Sequence, residues 1–197
     1  MAAFEKTTRE LVGDFSYATA ADDRSGAWIE ILTTRQDAND SVGAVAAARD
    51  WATFLEGEAA KAKTPDQRAV FDAHRLTVYL ELNQPERAVD MLLATQRDFP
   101  ADYNPFQRLA TAYKAMRRWD DALAQSDLAM SKIAYGPRKM LLYTTRADIY
   151  AGKHDLANEK RTLEEAIAFG EGIPESQRPT RSIDALRKRL AKLTPTP

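Results

Sequence analysis

The sequence contains no cysteine and only two histidines, His74 and His154. Without cysteine, disulfides, thiolate metal sites and a cysteine nucleophile are excluded. The two histidines are far apart and show no metal-ligand spacing such as H-E-x-x-H. We therefore predict a surface or interhelical position for both histidines. The sequence predicts no metal site, no cofactor and no catalytic cluster, so it does not indicate an enzyme.

A strong charge of either sign is also missing, since the formal net charge is −1. A protein needs a basic surface to bind the phosphate backbone of a nucleic acid, so we predict no nucleic-acid partner. No apolar run approaches the ~20 residues of a membrane helix, which argues against membrane insertion. Residues 1–6, MAAFEK, lack the apolar core of a signal peptide. The bare sequence fits the cytoplasm, or the periplasm if a leader has been removed.

Glycine and proline are scarce, at 8 and 9 residues, and strong helix formers dominate. Apolar residues recur at helical spacing, and alternation typical of strands is rare. Short polar breaks separate the helical segments, so neighbouring helices are expected to be antiparallel. The predicted helices cover roughly residues 4–19, 25–36, 41–62, 65–82, 85–98, 103–116, 119–133, 138–151, 154–169 and 179–193.

Two landmarks recur with one period. Tyr79 and Tyr113 are 113 − 79 = 34 positions apart, and Ala88 and Ala122 are 122 − 88 = 34 positions apart. A period of 34 in paired helices is typical of the tetratricopeptide repeat, or TPR, which the chain resembles. The best-matched unit follows the family pattern for the first helix of a repeat, which is two large residues, a small residue and an aromatic residue. They are Phe106, Leu109, Ala110 and Tyr113, with Ala122 and Ala129 at the small positions of the second helix.

The flanking units match less well. Asp72 and Arg75 stand where the first unit should have large apolar residues, and Arg146 and Glu159 depart from the pattern in the third. Residues 28–32 and 44–60 form a fourth candidate hairpin with a poor match. The predicted fold is all-α, a right-handed superhelical stack of antiparallel helical hairpins. The predicted parts of this solenoid are degenerate N-terminal helices at 1–64, three TPR-like hairpins at 65–170, and a capping helix with its tail at 171–197.

The last helix has the pattern of a cap. Ile183, Leu186, Leu190 and Leu193 form one apolar stripe, and basic residues including Arg189 are predicted on a solvated face. The stretches AVFDAHR, DFPADYNP and YGPRK also resemble TPR regions that bacteria join to thioredoxin-like modules in envelope proteins. No CxxC motif is present, so that resemblance implies no redox activity.

The TPR resemblance implies a concave groove lined by the first helix of each hairpin, which binds a segment of another protein. The groove residues implied by family position are polar. They are His74, Thr77, Glu81, Asn104, Gln107, Thr111, Lys114, Thr144, Thr145 and Asp148. Ala73 and Thr77 stand where the carboxylate clamp of chaperone-binding TPR proteins would begin, so that function is not predicted.

Two functions stay open at this stage. The first is a non-enzymatic scaffold that binds a protein or peptide segment of unknown identity in the groove. The alternative is a structural or self-associating module of a larger assembly, through Trp28, Trp51 and the apolar stripe at 183–193.

Overall fold

The computed structural model describes residues 2–14, 16 and 20–193, and these fall into two compact units. Unit 1 is Met1–Asp98 and unit 2 is Phe99–Pro197. The boundary lies inside the predicted set of three TPR-like hairpins, after the first of them. Each described residue with regular structure is helical, and no strand occurs in the described ranges.

The described part of unit 1 contains six helices, the last preceded by a 3₁₀ turn at Pro85–Ala88. They are α1 (Ala2–Gly13), α2 (Ala21–Asp37), α3 (Ser41–Lys61), α4 (Pro65–Ala69), α5 (Asp72–Glu81) and α6 (Val89–Asp98). Helix α2 packs on α1 and α3, and α3 packs on α5. The predicted helix at 4–19 is shorter in the structure, and residues 15 and 17–19 lie outside the described residues.

The predicted single helix at 65–82 is wrong, because a turn at Val70 and Phe71 divides it into α4 and α5. The break directs Phe71 and Asp72 into the core, where both are buried. The Asp72 carboxylate accepts a hydrogen bond of 2.7 Å from Thr95 Oγ1 on α6. Its position in the first turn of α5 also places negative charge at the favourable end of that helix. Asp72 thus departs from the TPR pattern and is still accommodated in the core.

Unit 2, as far as residue 193, contains five helices, with a 3₁₀ turn at Glu175–Gln177 before the last. They are α7 (Asn104–Ala115), α8 (Trp119–Lys132), α9 (Lys139–Gly152), α10 (Leu156–Glu171) and α11 (Thr180–Leu193). Each begins and ends within two residues of its predicted bounds. Helix α7 packs on α8 and α9 on α10, as expected for two successive hairpins, and α8 packs on α9.

Small residues lie where the helices of a hairpin approach each other. Ala110 on α7 and Ala122 on α8 are both fully buried, and so is Ala129. The large residues Leu109 and Tyr113 fill the space beside them and are also buried. The predicted repeat register is therefore confirmed in this hairpin.

The same turn joins the two helices of four hairpins, including the poorly matched one formed by α2 and α3. Each turn has one residue with a positive φ, between 53° and 59°: Asn39, Asn83, Arg117 and His154. The N–H of the next residue donates to the carbonyl five positions back, as Asp40 does to Arg35 and Arg118 does to Tyr113. This is the Schellman motif, which satisfies the last carbonyls of a helix. The shared turn shows that α2 and α3 form a hairpin of the same kind.

Helix α11 closes unit 2, as the predicted cap requires. Ile183 and Leu186 are buried against α9 and α10, in a cluster that includes Met140, Ala147 and Leu163. A Cβ atom at Gly170 would lie 2.8 Å from Ile183 Cγ1, so glycine permits the close approach of α10 and α11.

Candidate functional site

The three predicted groove residues of unit 1 lie on α5 and differ in what surrounds them. The His74 ring lies 5.9 Å from that of Trp51, centroid to centroid, and is partly buried. Thr77 is exposed, and its hydroxyl donates to the Ala73 carbonyl of the preceding helical turn. Glu81 is exposed at the end of α5, where its carboxylate accepts a hydrogen bond of 2.9 Å from Gln36 Nε2. Thr77 and Glu81 are thus the residues of this group that a ligand can reach.

Glu81 lines a pocket within unit 1 that sequence reasoning did not predict. The pocket has a volume of about 290 Å³ and lies between the end of α2, the start of α3 and the end of α5. Leu32, Val45 and Ala48 contribute apolar surface, and Gln36, Ser41 and Glu81 contribute polar groups. An apolar floor with a few polar groups is the usual composition of a binding pocket. The fourth candidate hairpin, which α2 and α3 form, matches the TPR pattern poorly, so the sequence did not show which of its residues lie beside Glu81.

In unit 2, two of the predicted groove residues bond to each other inside the protein. Gln107 on α7 and Thr145 on α9 are both buried, with 6% and 5% of their surface exposed. Gln107 Nε2 donates to Thr145 Oγ1 over 2.7 Å. This bond joins the first helices of two successive hairpins. Both side chains are therefore part of the contact between hairpins and have little surface left for a ligand.

A row of partly exposed charges continues across the same helices. Lys114 Nζ on α7 lies 2.9 Å from Asp148 Oδ2 on α9, and Asp148 Oδ1 lies 2.6 Å from Arg189 Nη1 on α11. Arg189 also donates to Glu159 Oε1 over 2.8 Å. We refer to Lys114, Asp148 and Arg189 as the charge row. Its members are partly exposed and available to polar groups of a partner.

The charge row also explains how Glu159 is tolerated at a buried position where the TPR pattern has a small residue. Only 4% of Glu159 is exposed, and Arg189 of the cap supplies its counterion. Burial by itself would lower the pKa of Arg189, but its hydrogen bonds to Asp148 and Glu159 outweigh burial and raise that pKa. The prediction that Arg189 lies on a solvated face is therefore wrong, because it is drawn inward by two carboxylates.

The other three predicted groove residues of unit 2 are partly exposed. Asn104 Nδ2 donates to Asp102 Oδ1 over 2.8 Å at the start of α7. The hydroxyls of Thr111 and Thr144 donate to the carbonyls of Gln107 and Met140, one turn back in their own helices. These bonds are local, so all three side chains keep acceptor capacity for a ligand.

The residues proposed for self-association pack in the interior of the two units. Trp28 and Trp51 are buried, with 7% and 1% of their surface exposed, and Trp51 Nε1 donates to Ser25 Oγ over 2.7 Å. Ile183 and Leu186 of the stripe pack on α9 and α10. Association through these side chains would require them to leave the core, so the structure does not favour this alternative.

Among residues 2–14, 16 and 20–193, no group of three or more His, Asp or Glu side chains is arranged to hold a metal ion. Within the same ranges, no helix has the length and apolar content needed to cross a membrane.

Comparisons with known proteins establish the fold of the chain but do not assign it to a family. Neither the family models nor the curated proteins include a match to this sequence. Among solved structures, BtubC (BKLC) from P. vanneervenii superposes with a TM-score of 0.65 at 13% identity, over 98% of this chain and 80% of that one. A putative kinesin light chain from Podosopora anserina with nearly identical TPR-like repeats superposes with a TM-score of 0.60 at 18% identity. That match covers 87% of this chain and 86% of the other.

A single-substitution variant of the Podosopora anserina protein gives a TM-score of 0.61 at 18% identity, over 87% of this chain and 85% of that one. The resemblance to TPR regions joined to thioredoxin-like modules stays a prediction. One architecture accounts for the order of the antiparallel hairpins, the buried alanines between paired helices and the structural matches. The chain has the fold of a TPR-like helical repeat protein.

Proposed function

We propose that the chain is a non-enzymatic scaffold that binds a segment of a partner protein along the first helices of its hairpins. The TPR-like fold supports a role in protein interaction. The predicted groove residues of this face are polar, and those that remain accessible can both donate and accept hydrogen bonds.

The pocket beside Glu81 is the observation that carries this proposal. Its volume of about 290 Å³ suits one or two side chains of a bound segment better than a large cofactor. The apolar surface of Leu32, Val45 and Ala48 suits an aliphatic side chain. The Glu81 carboxylate at the rim accepts hydrogen bonds from a backbone N–H or a basic side chain. We infer that unit 1 recognises a segment with an aliphatic residue near a basic one.

In unit 2, the charge row and the partly exposed Thr111 and Thr144 form the corresponding surface. Lys114 and Asp148 already neutralise each other, and exposed ion pairs contribute only ~0.2–1 kcal/mol each. Contacts to this row therefore contribute modest affinity to a segment bound on unit 2. The pocket of unit 1 is the stronger candidate contact, because it offers apolar surface as well as polar groups.

The proposal is tested by affinity capture from the native organism, followed by calorimetry with each captured partner. Glu81→Arg reverses the charge at the pocket rim and should abolish capture or weaken binding at least tenfold. Glu86→Arg is the matched control, because Glu86 is an exposed carboxylate in the same unit and does not line the pocket. Partners that bind both variants as tightly as the native chain would rule out the Glu81 pocket as the binding site.

A further inference from the structure

One of the four hairpin turns places an unusual residue type in the left-handed conformation. Asn39 and Asn83 suit this conformation, because asparagine adopts it more readily than most residues. Histidine is also enriched in this conformation, which His154 adopts with a φ of 59°, whereas arginine is not, and Arg117 has a φ of 57°. Backbone strain of this kind persists where the surrounding structure requires it, and often lies at functional sites.

Arg117 and His154 belong to successive hairpins of unit 2 and line one cleft. The cleft has a volume of about 610 Å³ and is formed by Arg117, Trp119, Gly152, Lys153 and His154. A Cβ atom at residue 152 would overlap the six-membered ring of Trp119, so glycine allows the indole to lie against the end of α9. The result is an aromatic surface with basic side chains around it.

The charges in this cleft are only partly neutralised by the protein. Lys153 forms an ion pair with Asp120, and its hydrogen bond to that carboxylate, together with the nearby charge of Asp155, raises the pKa of Lys153. Asp121, the neighbour of Asp120, is held by Arg118 at 2.8 Å. The Arg117 guanidinium and the His154 imidazole are exposed, and neither forms a hydrogen bond or ion pair with a side chain in the described part of the chain. A cation and an imidazole therefore remain available beside Trp119.

We propose that this cleft is a second binding site, for the carboxylates of an acidic segment in a partner protein. Lys153 already has Asp120 as its counterion, so Arg117 is the main cation left for a carboxylate of the partner. Arg117 supplies a fork of donors that suits a second carboxylate, and His154 supplies a further N–H. The cleft shares no lining residue with the Glu81 pocket, so it is independent of the site proposed above.

The test uses three probes: a peptide of about eight glutamates, a matched glutamine peptide, and inorganic phosphate. Calorimetry measures affinity, and NMR follows the Trp119 indole N–H. The glutamate peptide should bind at low salt and shift the Trp119 signal, and binding should weaken as salt screens the charges. The glutamine peptide and phosphate should bind far more weakly, because each lacks a row of carboxylates.

Arg117→Asn separates binding from stability. The substitution removes the cation and installs a residue that suits the left-handed turn, so peptide binding should weaken by about fivefold. Relief of the strain should raise the thermal midpoint by about 1–3 °C. Arg181→Asn is the matched control, since it removes the same charge at an exposed position on α11, away from the cleft. Arg181→Asn should leave peptide affinity unchanged.

Three outcomes would overturn the proposal. One is a glutamate peptide that fails to bind, and another is an equal loss of affinity in Arg117→Asn and Arg181→Asn, which would indicate general charge attraction. The third is binding of phosphate alone, which would overturn the assignment to carboxylates. All three readouts use synthetic probes, so they do not depend on whether the Glu81 pocket binds a partner.

Discussion

Gln107 Nε2 donates to Thr145 Oγ1 across the contact between two successive hairpins, and both residues are buried. The bond links side chains 38 positions apart in the sequence. It replaces the interaction with a ligand that the sequence pattern predicted for both positions. In this part of the protein, residues assigned to the groove hold the hairpins together.

We expect this pair to stabilise unit 2 in a way that a double-mutant cycle can measure. Thr145→Val leaves the buried Gln107 amide without its partner, and Gln107→Leu does the same to the Thr145 hydroxyl. Each single variant should lose ~1–3 kcal/mol of unfolding free energy, the cost of an unsatisfied buried polar group. The double variant replaces both partners with apolar groups and should be less destabilised than the sum of the two. Chemical denaturation provides the four free energies.

Additive losses in that cycle would show that the two side chains do not interact. Thr111→Val provides the comparison, because the Thr111 hydroxyl bonds only to a carbonyl of its own helix and is partly exposed. It should cost much less than Thr145→Val, even though both residues were assigned to the same groove.

The sequence predicted the helices, and the seam where the two helices of a hairpin meet, more successfully than it predicted the contacts of polar side chains. Helical periodicity tells which side of a helix a residue occupies, so Ala110 and Ala122 could be placed in the seam. Gln107 lies at the boundary between the seam and the exposed face. Whether such a residue is buried depends on how closely the next hairpin approaches, which one helix alone does not determine.

Residues that depart from the TPR pattern were the hardest to interpret from sequence. Asp72 and Glu159 are buried because Thr95 and Arg189 supply their hydrogen bonds. These partners lie 23 and 30 positions away. The turn residue Arg117 gave no signal either, because arginine is not among the residue types enriched at positive φ. Asparagine, at 39 and 83, does carry that signal, and the shared residue type adds support to the fourth candidate hairpin, which α2 and α3 form.

The seam of the best-matched hairpin should not tolerate a larger side chain. Ala122 is fully buried on α8 where it packs on α7, so Ala122→Leu should cost ~1–3 kcal/mol through overpacking. Ala124→Leu is the control on the same helix, at an exposed position. Thermal midpoints should fall clearly for Ala122→Leu and change little for Ala124→Leu. Equal midpoints for the two variants would mean that the repeat register is wrong.

Two glycines should respond in opposite directions to alanine. At Gly152, an added Cβ atom would overlap the Trp119 ring, so Gly152→Ala should displace the indole and lower the thermal midpoint. At Gly57, inside α3, no atom lies within 4 Å of the added Cβ. Gly57→Ala should raise stability by ~0.5–1 kcal/mol, because glycine is unfavourable inside a helix. Calorimetric scans of both variants provide the comparison.

The Trp119 indole resonance gives an independent check on the Gly152 substitution. It should move in Gly152→Ala and stay in place in Gly57→Ala. A Gly152→Ala variant that is as stable as the native chain, with an unchanged Trp119 signal, would contradict the close packing at the end of α9.

The N-cap of α10 should make part of the stability depend on pH. Hydrogen bonds from the Asn158 side chain and backbone N–H hold the pKa of Asp155 below its usual value. With the folded pKa depressed, the stabilisation is present above the unfolded value of about 3.9, and it is lost as the pH falls through the lower folded value. Asp155→Asn keeps a capping side chain but removes the titrating group. Its thermal midpoint should therefore fall less steeply than that of the native chain as the pH drops below about 4.

Glu175→Gln is the control, since it removes an exposed carboxylate of the same unit that caps no helix. Plots of thermal midpoint against pH should be flatter than that of the native chain for Asp155→Asn and unchanged for Glu175→Gln. If the plot for Asp155→Asn ran parallel to that of the native chain, the cap would not contribute to the pH dependence.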